Sequence, residues 1–499
     1  MSHSGTPYGI RLSNLAEERG SASALLFAES EGPVTEWSWS ELESRSNQAA
    51  RLLRGRDVRT GDIVVVGLAN SPDHVVAVFG AWKLGASVLP LRSDLPEWER
   101  DRLLQVAGHT AVVADWVSEE FRAVTSRDLE EAVELDPSPV PDGGTPRYSR
   151  LIATSGSTGT PKIILGSDPA LYTDQGDTTG NVSAEAGVVL CASPLYHTNG
   201  AASCFNPLLA GSRVVLMEKF DAPRFVELVE RHKVNGTILV PTMLQRIARL
   251  DGIRSRNLSS LDFVHYGGAS LPEWVARTWL ELVPPENFIF SYGGSEGLGL
   301  TMCTGREWLD HPGTSGRPVG CEVVIVAGDG EVLPVGETGQ IYMRRTAPGA
   351  TFQYVGVPTP EPIMGGYLSF GDLGRLDEDG YLYIADRRQD MIVTGGVNVF
   401  PAEVEAALSE HPEVADVVVI GIPDPAWGHR VHAIVEPREA TDPPDVETLR
   451  DFAKKMLAGP KVPKSFEFLD QLPRTTAGKI NRARLIEARI PEAGSAQLP

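Results

Sequence analysis

The densest run of groups able to do chemistry is Thr154-Ser155-Gly156-Ser157-Thr158-Gly159-Thr160-Pro161-Lys162. Its two glycines let backbone N–H groups approach an anion closely, its five hydroxyl residues add donors, and Lys162 supplies positive charge. The apolar run Leu151-Ile152-Ala153 just before it reads as a strand that delivers the loop. Together these features predict a phosphate-binding loop, and not a Walker A loop, because the order GxxxxGK[ST] is absent. The other reactive residues are more scattered. His197, in Pro194-Leu195-Tyr196-His197-Thr198-Asn199-Gly200, has no partner at a metal-ligand spacing. Cys191, Cys204, Cys303 and Cys321 form no CxxC pair and read as reduced thiols of a cytosolic protein.

These groups need a large scaffold to hold them. The chain has 499 residues, which predicts about three compact units. Its 42% apolar and 22% charged residues are ordinary globular usage, which excludes global disorder. With 66 acidic against 45 basic residues the net charge is −21, which argues against nucleic acid as a partner but leaves room for a small phosphorylated ligand. The N-terminus carries no apolar signal segment, and no apolar run reaches the roughly 18 residues of a membrane span.

Strand-like runs alternate with helical patterns over most of the first 300 residues. Asp62 to Val66 reads as a buried strand, and Val75, Val78, Phe79 and Trp82 lie on one face of the helix after it. Ser212 to Met217, Thr237 to Val240, Asp262 to His265 and Asn287 to Phe290 repeat the strand pattern, and Asp221 can cap a helix carrying Phe225, Leu228 and Val229. This alternation predicts a mostly parallel sheet covered on both faces. After Gly313 the strands Cys321 to Ala327 and Thr338 to Arg344 are separated by Gly/Pro turns, as in a small antiparallel or barrel-like unit. From Asp386 an α+β unit is predicted, with helices at Pro401 to Glu410 and Val446 to Leu457 and strands at Val414 to Ile420, Arg430 to Glu436 and Ser465 to Leu469. Asp136 to Pro146 reads as an exposed loop.

Further motifs stand in order behind the first: Tyr292-Gly293-Gly294-Ser295-Glu296, Gly371-Asp372, Asp386-Arg387 leading to Gly395-Gly396-Val397-Asn398-Val399-Phe400-Pro401, and Pro473-Arg474-Thr475-Thr476-Ala477-Gly478-Lys479. With the Thr154–Lys162 loop they make the chain resemble, over nearly its whole length, the ANL superfamily of adenylate-forming enzymes, in its acyl-CoA synthetase branch. The resemblance implies an α/β enzyme. A large N-terminal domain of layered αβ sheets plus a small β-barrel would occupy residues 1–385. A hinge at 386–389, centred on Gln389, would lead to a mobile, smaller α+β domain at 390–499. It further implies that Thr154, Ser155, Gly156, Ser157, Thr158, Gly159 and Lys162 hold the phosphates of ATP, and that Glu296 is the Mg2+ ligand. Tyr292 and Gly293 would bound the adenine, with Gly267-Gly268-Ala269-Ser270 on its other side, and Ser295 would adjoin the Mg2+ ligand. Asp372 and Arg387 would take the ribose, and Lys479 would bridge the substrate carboxylate and the α-phosphate. His197 would gate the carboxylate site, and Gly395, Gly396 and Trp427 would meet coenzyme A (CoA). For Trp427 a place in the core is the rival reading. Lys461 and Lys464 are further candidates for the CoA phosphates, with solvated lysines as the rival.

The activity so implied is ATP-dependent ligation of a bulky carboxylic acid to CoA through acyl-AMP, in the cytoplasm, with a resemblance nearest to bile-acid and polycyclic-acid CoA ligases. Tyr196-His197 offers no carboxylate to pair with a substrate amine, which argues against an amino acid. Small residues at Asn199-Gly200-Ala201-Ala202, Gly267-Gly268-Ala269 and Gly293-Gly294 are expected to leave volume for a fused-ring acid. Ile163, Ser295, Phe370 and Gln389 depart from the family pattern around the first half-reaction. They raise a second reading, a thioester-forming partner that takes acyl-AMP from a separate adenylating enzyme. A third is a stand-alone adenylating enzyme that loads a carrier protein, since the chain stops soon after Lys479. A nucleotide sensor without catalysis is disfavoured because Glu296, Asp372, Arg387 and Lys479 are all present.

Overall fold

The computed structural model describes residues 5–116, 123–141, 143–149, 151–155, 161–166, 168, 170–173, 187–328, 330–347, 352–387, 390–475 and 478–490. Among these the largest sheet has nine strands, in the order Arg317–Val319, Leu300–Thr304, Phe288–Gly293, Phe263–Tyr266, Gly236–Leu239, Val188–Cys191, Arg213–Met217, Ser23–Ala28 and Val34–Ser38. Its six central strands are parallel and its outer ones antiparallel. A second, parallel sheet joins Ser87–Pro90, Ile63–Val66 and Ala111–Val113. One core contains side chains from both, Leu25, Val214 and Leu216 with Val64 and Val66, together with the helices Trp39–Arg54 and Pro72–Lys83.

The local chemistry explains these elements. Ser71 accepts from His74 N and Pro72 opens the next helix, whose Val75, Val78, Phe79 and Trp82 are buried as their spacing predicts. Asp221 caps Ala222–His232 by accepting from Arg224 N. Cys321–Val326, Gly339–Arg345, Asp372–Leu376 and Leu382–Arg387 form an antiparallel sheet around Ile325, Ile341, Met343 and Leu382.

Residues after 390 build a sheet from Val397–Val399, Ile392–Thr394, Gly428–Pro437 and Val414–Asp424, with Ser465–Phe468 parallel to the third. It has its own cores, one around Val404, Leu408, Val419 and Val431 and one around Val418, Ile420 and Ile434. Two strands run further than the sequence predicts, to Asp424 and from Gly428, as a hairpin with Trp427 at its tip. The turn is closed by Asp424, whose carboxylate accepts from the backbone N–H of Ala426 and Trp427, so pairing continues to the turn itself. This unit is tied to the helices Pro241–Ala248 and Glu273–Leu282. Gln245 donates to Ala415 O at 3.1 Å, Arg249 donates to Ala415 O and to Ser409 O, and Trp274 Nε1 donates to Ser409 Oγ at 3.3 Å.

Two buried histidines give a pH dependence. His74 Nδ1 lies 2.9 Å from Leu68 O and His265 Nε2 lies 2.6 Å from Ser291 Oγ, and burial pushes each down to about 4. Their folded pKa values lie below the unfolded value of about 6.5. The unfolded chain therefore takes up protons first, and the stability they provide above that pH is lost as pH falls towards 4. One pKa unit is worth about 1.4 kcal/mol. Thermal melts between pH 7.5 and 5 are expected to show a shallower acid loss for His74→Gln and His265→Gln than for the parent. Parallel curves would contradict this.

Candidate active site

Leu151–Ser155 and Pro161–Gly166 form an antiparallel hairpin in which Thr154 pairs with Lys162 and Ser155 with Pro161. The phosphate-loop candidates Gly156, Ser157, Thr158 and Gly159 lie outside the described residues, but the ladder places Thr154, Ser155 and Lys162 at the base of their loop. Phe352–Val355 adds a third strand, with Tyr354 paired to Ile164. Lys162 Nζ sits 3.6 Å from the centroid of the Tyr354 ring, and the Tyr354 hydroxyl donates to Glu296 Oε1 at 2.7 Å. Burial, and then the neighbouring Glu296 charge, raise the phenol well above its ordinary range, so it is held as a donor. The expected phosphate cation and the expected metal ligand thus meet on one tyrosine. Sequence reasoning missed Tyr354, because Phe352-Gln353-Tyr354-Val355 reads only as a short strand and Glu296 is 58 residues away.

Phe288–Gly293 carries Tyr292 to the same region. Its hydroxyl donates to Asp372 Oδ2 at 2.8 Å, and Asp372 is buried at the start of its strand. Asp372 pairs across the ladder with Arg387, so register alone sets the two ribose candidates opposite one another. Gly268, Ala269 and Ser270 are exposed beyond the strand Phe263–Tyr266, and Tyr266 holds that turn by donating to Ala269 O at 2.7 Å. Ser295 Oγ lies 3.1 Å from Thr198 Oγ1, which ties the Glu296 turn to the His197 turn.

His197 stands immediately before the helix Thr198–Ala210. The buried Asn70, also missed from sequence, pins that turn: its Oδ1 accepts from Leu195 N at 2.8 Å and its Nδ2 donates to Ser193 O at 3.1 Å and Met217 O at 3.0 Å. Burial pushes His197 down to about 3, with the charges of Lys479 and Arg92 adding to it, so the imidazole is neutral at working pH. A Cβ at Gly478 would lie 2.5 Å from Thr242 Oγ1, so the Lys479 turn is seated on the helix Pro241–Ala248. Arg474 braces that turn by donating to Gly478 O at 3.0 Å and to the Asp416 carboxylate at 2.5 and 2.9 Å. The structure therefore brings Lys479 towards His197.

Gly395 and Gly396 lie apart from this cluster, between Ile392–Thr394 and Val397–Val399. Gly395 N donates to Trp427 O at 2.9 Å. Trp427 is 47% exposed, which rules out the core role considered for it. Lys461 is engaged with both Glu403 oxygens at 2.7 Å, whereas Lys464 Nζ stands 5.4 Å from the Trp427 ring. Gln389 lies outside the described residues.

One expectation needs correction. The small residues do not all leave volume: a Cβ on Gly200 would fall 2.0 Å from Pro194 O, one on Gly293 2.4 Å from Leu300, and one on Gly294 2.6 Å from Phe370. These glycines serve close packing, a Cβ on Gly267 would lie 3.0 Å from Ser291 Oγ, and of the five only Gly268 faces open space, with its nearest neighbour 4.0 Å away. Three of the four departures from the family pattern have a place in the packing, and Gln389 lies outside the described residues. Ile163 is 1% exposed and packs in a core with Val65, Leu89 and Leu91. Ser295 keeps a hydroxyl partner, and Phe370 packs edge-on to Tyr292 at 6.0 Å.

Among the described residues no three or more His, Cys, Asp or Glu are grouped to hold a metal ion. Glu296 thus offers a single hard carboxylate, a donor set that fits Mg2+, which keeps its waters and takes substrate phosphate oxygens. No helix among them is long and apolar enough to cross a membrane.

Layered sheets with a separate lysine-bearing unit, a hairpin that ends in Thr154, Ser155 and Lys162, and the Glu296 carboxylate are the arrangement of an adenylate-forming enzyme. Residues 12–351 match the AMP-binding enzyme family and residues 403–479 the AMP-binding enzyme C-terminal domain, and the chain belongs to this family. It is 34% identical to a feruloyl-CoA synthase of an Amycolatopsis species over 89% of this chain and 92% of that one. It is 30% identical to a 2-succinylbenzoate–CoA ligase of Bacillus licheniformis over 89% and 93%. The o-succinylbenzoate CoA synthetase of Bacillus subtilis, solved with its acyl-adenylate intermediate, superposes with a TM-score of 0.78 at 27% identity, over 95% of this chain and 97% of that one. The same enzyme solved with ATP and magnesium ion gives 0.79 over 95% and 98%.

Proposed function

We infer that the protein is an AMP-forming acid–thiol ligase that joins a bulky, ring-bearing carboxylic acid to CoA through acyl-AMP, in the cytoplasm. The observation that carries this reading is the seating of the Lys479 turn on Thr242, near enough to His197 for its charge to act on the ring, with the His197 turn tied through Thr198 and Ser295 to the Glu296 that Tyr354 links to Lys162. The feruloyl-CoA synthase and the 2-succinylbenzoate–CoA ligase are named for ring-bearing acids, which supports a ring-bearing substrate, whereas a relative of Streptomyces coeruleorubidus at 29% identity is named a fatty acid–[acyl-carrier-protein] ligase; a fused-ring acid is the extreme of the ring-bearing class. Residues 1–385 would form the body, 386–389 the hinge and 390–499 the moving domain.

A carboxylate is a poor acyl donor because its leaving group would be oxide. Its oxygen attacks the α-phosphorus of ATP, pyrophosphate leaves, and the CoA thiolate then attacks the acyl carbon and expels AMP. The first step gathers anions, so donors and cations set in place beforehand are its main source of rate. Lys162 and the hairpin loop hold the phosphates. Lys479 donates between the substrate carboxylate and the α-phosphate. The neutral His197 ring closes the carboxylate site without competing for Lys479 as an anion would. Asp372 has lone pairs beyond the one that meets Tyr292, and with Arg387 it takes the ribose. Bound Mg2+, held by Glu296, would supply neutralisation of phosphate charge.

Pyrophosphate and AMP release, followed separately with CoA and a panel of acids, test this. Ferulate, 2-succinylbenzoate or a tricyclic acid is expected to exceed acetate in kcat/KM by about 100-fold or more, since each buried methylene contributes about 0.8 kcal/mol. Acetate at a comparable kcat/KM would overturn the acid class. AMP release with a carrier protein but not with CoA would overturn the acceptor.

A further inference from the structure

We propose that Tyr354 is a positioning residue for the adenylation half-reaction, one phenol that sets both the phosphate cation Lys162 and the metal ligand Glu296. This rests on the reading of Glu296 as the Mg2+ ligand. The geometry has two parts. The ring face receives the Lys162 ammonium 3.6 Å from its centroid, and the hydroxyl donates to Glu296 Oε1 at 2.7 Å. An ammonium over an aromatic face is attracted by the ring's negative centre. A carboxylate has about four lone-pair sites, so one donated hydrogen bond orients it and leaves oxygen for a cation.

Tyr354 is itself held from two sides. Its strand pairs with Pro161–Gly166, the second arm of the phosphate hairpin, and its N–H donates to Thr359 Oγ1 at 2.9 Å. The same hairpin that ends in the phosphate loop therefore carries the group that aims Glu296. Partners that orient a metal's ligand commonly matter as much as the ligand's own rotamer freedom would suggest, with losses of about 10- to 100-fold in metal affinity when they are removed. The bridge also keeps an anion and a cation at separate stations. Glu296 reaches the hydroxyl edge and Lys162 the face, so neither need collapse onto the other before phosphate and metal arrive.

The two halves can be separated by substitution. Tyr354→Phe keeps the ring under Lys162 and removes the hydrogen bond to Glu296. Tyr354→Leu removes both. The measurement is calorimetric titration of ATP into the full-length enzyme without acid, with and without saturating Mg2+, so that no turnover takes place. Tyr354→Phe is expected to reduce the tightening of ATP binding by Mg2+ about 10-fold or more, with metal-free ATP affinity unchanged. Tyr354→Leu is expected to lose both. Glu296→Gln serves as the reference. If it abolishes the tightening while Tyr354→Phe retains it, or enhances it, Tyr354 does not position Glu296 and the proposal is overturned. If Glu296→Gln leaves the tightening intact, the metal reading of Glu296 fails and the proposal falls with it. A lowered melting temperature with unchanged metal dependence in Tyr354→Phe would mark a purely structural tyrosine and likewise overturn it.

Discussion

Lys479→Ala is expected to lower acyl-AMP formation on the order of 1000-fold, the scale of losing an aligned donor at a developing charge, while conversion of supplied acyl-AMP to thioester stays within a few-fold of the parent. The asymmetry has a geometric basis. The Lys479 turn is held by Arg474, which reaches both Gly478 O and Asp416, and is seated against Thr242. After burial, the Lys479 charge is the next cause that keeps His197 neutral, so the two lie in reach of one another. Substrate carboxylate and α-phosphate are both anions and repel one another, which Lys479 between them would offset. Once acyl-AMP exists that repulsion is gone, and under the proposed domain alternation Lys479 is no longer needed at the site. Pyrophosphate release and thioester yield from synthetic acyl-AMP check the two halves independently. Equal loss of both in a folded Lys479→Ala protein would contradict the two-conformation reading.

Gly395→Leu is expected to give the mirror image, a loss of about 100-fold in thioester formation from acyl-AMP with pyrophosphate release retained within a few-fold. Gly395 has φ +55 and a Cβ there would lie 2.7 Å from the Trp427 ring, so the side chain must displace either the turn or the tryptophan. Its backbone N–H also donates to Trp427 O, which makes the two hairpin tips one surface. Val393, Val397 and Trp427 are all exposed on it. That surface makes no part of the Lys479 cluster, which is why the first half-reaction should tolerate the change. The check is the ratio of thioester yield from supplied acyl-AMP to pyrophosphate release from acid and ATP. A fall in pyrophosphate release as large as that in thioester yield would sink this assignment of the glycine turn.

Local motifs nominate Glu296, Asp372, Arg387 and Lys479, and the ladder sets Asp372 opposite Arg387, while the tip of the Thr154–Lys162 loop and Gln389 lie outside the described residues. Such motifs are legible because each is local: a few neighbouring residues whose types match one ligand fragment. The strand–helix alternation was legible for a similar reason, since Val75, Val78, Phe79 and Trp82 or the Val-rich run 63–66 declare their buried faces through spacing alone. Element ends were less so. The hairpin at Trp427 extends to its turn because Asp424 closes it, a hydrogen bond that hydrophobic pattern does not register.

Only the tertiary structure decided which side chains serve one another. Tyr354 joins Lys162 to Glu296, Asn70 pins the turn before His197 from 125 residues away, and Ile163 turns out to fill a core. Glycines read as spare room at 200, 293 and 294 are places where backbone or side chains press close. The physical reason is common to all of these. A motif states what a residue can bind, but packing and single long-range hydrogen bonds depend on which surfaces the chain brings within a few ångströms, and neither residue type nor spacing along the chain encodes that proximity.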